Sequence, residues 1–287
     1  MFLLILQQQK NMKKISVILV LIVGLSINSQ NHPPKWNTTT EFLEEDSPKM
    51  SAFQPGEWLK FRIHYGFLNA SYATLHLTSE NLNGIPVYHV VGNGKTAGFA
   101  SIFFKVDDTY ESYFDQQDGR PYKFIRKINE GGYTKDIEVN FDYKTDIAVL
   151  NDKKNDKKFN FTIQKDIQDL VSAFYFLRNN YIFEDLEEGK SINLDVLYDD
   201  DGVFKFKLKY LGKEILKTKF GKVECLKFRP YVQSGRVFKA QESLSLWVSN
   251  DDNKIPIRIQ ADIRVGSIKA DLDGYNGLKH QFKIIMD

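Results

Sequence analysis

From residue 57 onward the chain alternates apolar and polar residues in short runs, the pattern of strands with one buried and one wet face. Glu57–Tyr65, Ser71–Leu77, Tyr88–Val91, Thr109–Phe114, Tyr122–Arg126, Ile137–Tyr143 and Lys158–Ile163 form a first series. Segments rich in Gly, Asn, Asp and Pro, such as Gly66–Asn69, Gln116–Pro121 and Asn151–Lys157, fall between them and suit turns. One segment breaks the period of two. In Asp166–Asn180 and on to Tyr181, apolar residues fall at Ile167, Leu170, Val171, Phe174, Leu177 and Tyr181, which predicts a helix over 167–181 with Asp166 at its N-terminus. A shorter helical turn is expected at Phe99–Phe104.

Strand patterns resume at Ile192–Tyr198 and Val203–Tyr210, separated by the turn Asp199-Asp-Asp-Gly202. Ile215–Phe220, Val223–Val232, Ser243–Val248, Ile255–Val265 and Ile268–Leu272 follow. Roughly fifteen strands and one helix exclude a doubly wound α/β fold. The expected fold is all-β and mainly antiparallel: a curved sheet or half-barrel whose concave face wraps the one amphipathic helix. Residues 53–287 are expected to form a single domain, after an extended, Pro-containing lead-in over 31–52.

The N-terminus reads as an address. Lys13 and Lys14 precede the apolar run Ile15–Leu25, with small and polar residues after it, so residues 1–30 have the form of a secretory signal peptide starting at Met12. The run is shorter than the roughly 18 to 20 apolar residues that span a bilayer. The expected location is therefore periplasmic, with no transmembrane segment in the mature chain and no lipid anchor, because no Cys follows the run. This segment also changes the charge. The whole chain carries +2, but Lys10, Lys13 and Lys14 leave with it, giving 36 cationic against 37 anionic residues, a net of −1. A near-neutral surface gives no electrostatic footprint for nucleic acid. The single Cys225 cannot form an internal disulfide and sits in a strand pattern, where a thiol acts as a small hydrophobe.

The stretch Pro55–Leu77 resembles the opening of a family catalogued as domain of unknown function 3108, found in exported proteins of Gram-negative bacteria. Val106–Asp115, the helix Gln168–Arg178, Leu246–Ile259 and Gly266–Leu272 resemble that family in the same order. The resemblance spans about residues 53 to 275 and implies a periplasmic, mostly β protein with no assigned activity or site residues. The closing pattern, with Ile255-Pro-Ile257 after an Asp and Asn turn, is also similar to periplasmic lipoprotein carriers, whose half-barrel holds acyl chains. That likeness is one of fold.

Candidate chemistry is sparse. Gly92-Asn-Gly-Lys-Thr96 ends like a phosphate-binding loop, but His89 stands where that motif requires Gly. Asp199–Gly202 and Asn250–Asn253 are oxygen-rich, yet lack the alternating acids and terminal Glu of a calcium loop and read as hairpin turns. The five histidines are scattered, and only His64 and His76 could face one another across a hairpin as a metal pair. No catalytic constellation, metal site or cofactor is expected, and the chain reads as a non-enzyme.

Aromatic residues make up 14% of the chain. They either fill the space above a wide sheet or line an apolar pocket between sheet and helix. Trp58, Tyr65, Phe67, Phe174, Tyr175 and Trp247 are the candidate lining. The leading expectation is an exported protein that binds an apolar or lipidic molecule. The rival is a cell-envelope accessory with a filled core, acting through its surface on a protein or glycan partner. A cavity of several hundred Å³ under the sheet favours the first, and a close-packed interior the second.

Overall fold

The computed structural model describes residues 51–98, 105–180, 186–231, 244–263 and 265–286. The expected signal peptide, most of the lead-in and the helical turn at 99–104 lie outside them. Fourteen strands form one sheet: β1 (Trp58–Tyr65), β2 (Leu68–Leu82), β3 (Ile85–Thr96), β4 (Asp107–Asp115), β5 (Pro121–Glu130), β6 (Tyr133–Asp142), β7 (Ile147–Asp152), β8 (Lys157–Thr162), β9 (Ser191–Val196), β10 (Phe204–Thr218), β11 (Gly221–Tyr231), β12 (Leu244–Ser249), β13 (Pro256–Asp262) and β14 (Ser267–Asn276). Among the described residues there is one helix, α1 (Leu170–Asn180), which lies between β8 and β9 in sequence.

The spatial order is β8-β7-β6-β5-β4-β3-β2-β1-β14-β13-β12-β11-β10-β9. Two antiparallel meanders are therefore welded through the first and last strands, where Phe61 opposes Leu272 and Ile63 opposes Ala270. β8 and β9 remain as edges, so the sheet is not closed into a barrel. Side chains bridge the gap instead: Leu197, Tyr198 and Val203 around the β9–β10 turn pack in one cluster with Phe159, Phe161 and Ile163. Arg126 on β5 donates to Asp199 of the same turn at 2.5 Å, and Lys135 on β6 also bonds Asp199.

The mainly antiparallel sheet around a single helix matches the sequence expectation, but three details differ. β7 was not expected, because Ile147-Ala-Val-Leu150 is a short apolar run without alternation; Ala148 and Leu150 are buried and the strand pairs on both sides. The segments 203–210 and 215–220 form one strand, β10. Gly212, at φ 97°, lies in a bulge opposite Lys227 that lets pairing continue where the sequence suggested a break. The helix begins three residues late, capped by Asp169 rather than Asp166. Asp169 Oδ1 accepts the N–H groups of Val171 (2.7 Å) and Ser172 (2.8 Å), while Asp169 N–H donates to Ser172 Oγ. Residues just before the cap instead extend the sheet edge, with Gln168 bridging Val196.

The helix plugs the sheet. Val171 and Tyr175 belong to the cluster built on β2 to β7, Phe174 also packs against the cluster around Leu59 and Leu272, and Leu177 packs against Phe228 and its neighbours on β10 and β11. Its C-terminal end is pinned by charge. Arg178 donates two bonds to Glu57 (2.6 and 2.7 Å), one to Ala52 O and one to Asn253 O, with both charged side chains fully buried. Asn253 in turn exchanges bonds with the backbone of His280, tying the C-terminal tail to the β12–β13 turn.

Candidate functional site

The space between sheet and helix is occupied by aromatic side chains. Phe53 packs edge-on against Tyr175 (4.8 Å between ring centres), Tyr88 (5.4 Å) and Phe114 (6.5 Å), and Phe114 lies 5.5 Å from Tyr175. The hollow these four residues border beside the end of α1 has about 20 Å³. That is room for roughly one water molecule. Phe53 and Ala52, just inside the folded region, are core residues that the Pro-rich lead-in concealed.

The larger concavity, about 590 Å³, lies over the sheet face formed by β10 to β13. Its lining is polar: Glu214, Lys227, Arg229, Ser245, Trp247, Arg258, Gln260 and Asp262, with Leu211 and Leu216 at one side. Cross-strand register builds it. Lys227 opposes Trp247, Trp247 opposes Arg258, and Ser245 opposes Gln260, so alternate residues of successive strands share this face. Trp247 is buried in the floor. Its indole N–H donates to Glu214 Oε2 (3.0 Å), and Lys227 Nζ sits 4.9 Å from the ring and 3.0 Å from the same carboxylate. The bond from Trp247, and that from Lys227 against the effect of burial, hold the Glu214 carboxyl below its ordinary pKa.

The charge network continues onto the neighbouring strands. Arg258 grips Asp271 on β14 with two bonds (2.5 and 3.2 Å), and Asp271 Oδ2 lies 2.9 Å from His64 Nε2 on β1. Burial opposes ionisation of Asp271, but the bonds from Arg258 and His64 outweigh it and leave its pKa lowered. The groove is thus a set of fixed and largely paired charges, Lys227 with Glu214 and Arg258 with Asp271, with Arg229 and Asp262 also at its wall. It can hold a polar molecule through charge-assisted hydrogen bonds.

The six residues picked from sequence as a pocket lining fall in separate places. Phe174 and Tyr175 lie on α1 in the core, 4.9 Å apart between ring centres. Trp58 is half-buried on β1 and covers Gly274, where a Cβ would lie 3.2 Å from the indole. Trp247 is in the groove floor, while Tyr65 and Phe67 stand exposed at the β1–β2 turn. His64 and His76 do not face one another: the register sets His76 against Trp58 and His64 against Asn69, and His64 is engaged by Asp271 and Gly66 O. Burial pushes the Cys225 thiol up to about 12, consistent with an inert core residue. The groove cations were missed because Lys227, Arg229 and Arg258 are merely the polar phase of alternating strands. Only the strand order shows that they share a face.

The architecture of the described residues is that of an open antiparallel sheet holding one helix. Residues 60–273 match the family described as Protein of unknown function (DUF3108), and the chain belongs to that family. Its fold is similar to that of a β-barrel-like protein of domain of unknown function DUF1849 from Brucella abortus, at 9% identity and a TM-score of 0.53, covering 79% of this chain and 99% of that one. A DUF1089 family protein from Pseudomonas aeruginosa aligns at 11% identity and a TM-score of 0.35, over 64% of this chain and 87% of that one. No curated protein matches the sequence.

Proposed function

We propose that this protein is an exported, non-enzymatic component of the cell envelope that works through its outer surface, with the β10–β13 groove taking a polar glycan. The observation that carries this reading is the contrast between the two spaces. An acyl chain needs a pocket of several hundred Å³, and the space beside the helix has about 20 Å³. The larger of these two spaces is polar and open, and charged side chains of both signs line it. The filled core therefore favours a surface-acting accessory over a carrier of lipid under the sheet. The basic n-region and apolar run at 13–25 support export.

The test is a titration of the protein with soluble peptidoglycan fragments, followed through tryptophan fluorescence with Trp247 in the groove floor as the responding ring. Saturable binding is expected, weakened at least ten-fold by Lys227→Glu with Arg229→Glu. Absence of binding, or equal binding by the variant, overturns the assignment of the groove.

A further inference from the structure

β1 and β14 are neighbours, so the β1–β2 turn (Gly66 and Phe67) and Ile263, Val265 and Gly266 between β13 and β14 stand side by side at one end of the sheet. They are built as a unit. Tyr65 Oη donates to Val265 O at 2.9 Å, and Ile263 N–H to Gly266 O at 3.1 Å. Gly266, at φ 75°, leaves the Tyr65 ring its place: a Cβ there would lie 3.2 Å from the ring. This double tip is apolar. Phe67 is 91% exposed, Val265 71%, Leu68 58%, Tyr65 37% and Ile263 36%. Of the twelve large apolar side chains exposed among the described residues, these five gather at one end.

Such a cluster marks an interaction surface, and its shape and charge select the partner. The apolar groups are exposed on two turns rather than lining a hollow, so they enter a partner rather than receive one. The strands beneath bear Arg62 and Lys269; Arg258 and Asp271 are paired with one another, and Asp262 accepts a bond from Gln260. An apolar tip above the cations Arg62 and Lys269 fits the boundary between acyl chains and anionic headgroups. Tyr65, with its ring at the tip and its hydroxyl satisfied, suits headgroup depth.

We propose that the paired tips are a membrane-contact element, inserting Phe67, Leu68 and Val265 into an anionic bilayer surface while the domain stays outside it. This goes beyond the reading of the groove and stands whether or not the groove takes a glycan. The experiment uses the protein as isolated from its cells, carrying Val265→Cys labelled with an environment-sensitive fluorophore; Cys225 is buried and does not compete. A second protein carries the label at Ile85→Cys, at the far end of the 15-residue β2, roughly 45 Å away at strand rise.

With phosphatidylglycerol and phosphatidylethanolamine vesicles, the label at 265 is expected to shift to the blue and be quenched by spin-labelled lipid, while that at 85 stays unchanged. Phe67→Ser with Leu68→Ser is expected to weaken vesicle binding at least ten-fold at an unchanged melting temperature, since both side chains are exposed. An unshifted label at 265, or equal shifts at both positions, overturns the proposal. So does a shift that grows with protein concentration without vesicles, which would assign the tip to a second copy of the chain.

Discussion

At the scale of single residues, the fold depends on charges placed where water does not reach. Arg178 and Glu57 lie 121 positions apart in sequence, yet meet in a two-bond pair inside the core, with the guanidinium about 5 Å from the ring centres of Phe53, Phe174 and Tyr175. Burial works against the arginine charge, and Glu57 more than restores it, so the pKa of Arg178 is raised. Breaking such a pair on one side strands a buried charge and costs about 3–5 kcal/mol. Glu57→Gln is expected to lose that much in urea unfolding. In a double-mutant cycle with Arg178→Met, the combined loss is expected to fall short of the sum by about 1–3 kcal/mol. Strict additivity would show that the pair contributes no coupling. None of this was legible in the sequence, where Glu57 and Arg178 look like solvated residues at the ends of a strand and a helix.

At the scale of the element, the start of α1 shows both what the sequence reveals and where it stops. The spacing of Leu170, Val171, Phe174 and Leu177 was enough to find the helix, because an apolar stripe needs a core to face. The cap was misplaced by three residues because Asp166 and Asp169 are equivalent in sequence; tertiary structure distinguishes them, since Ser112 on β4 donates to Asp169 Oδ2 at 2.6 Å. Burial pushes the Asp169 carboxyl up to about 6, with the bonds from Ser112 and the helix N–H groups working against that rise. Its ordinary value is 3.8, so the folded state holds this proton more tightly than the unfolded chain. The resulting stabilisation is complete below about pH 4 and is lost as pH rises through about 6. Asp169→Asn keeps an acceptor for the cap and is expected to flatten this decline relative to the parent, measured by urea melts at pH 4 and pH 6.5. Parallel pH profiles for the two proteins would contradict the assignment. The strands followed the same rule: alternation revealed most of them, while β7 lacked alternation and β10 continued through a bulge that a glycine disguised as a turn.

At the scale of the whole molecule, two meanders joined through β1 and β14 enclose a helix, and the unclosed edges are held by the Asp199 turn against Arg126 and Lys135. The fold class was open to sequence reasoning because periodicity is local. The groove was not, because it depends on the order of strands in space, which alternation does not encode. The aromatic content posed a choice between filling and lining, and the packing of Phe53, Phe114 and Tyr175 answers it for the region beside the helix: they fill. The surface then carries two separate features, a polar, charged groove and an apolar tip. The most direct measurement of this account is native mass spectrometry of the protein purified gently from its own cells. A single species at the mass of the processed polypeptide is the result the filled interior predicts. A stoichiometric lipid that stays bound after Phe67→Ser with Leu68→Ser has removed the tip would contradict it.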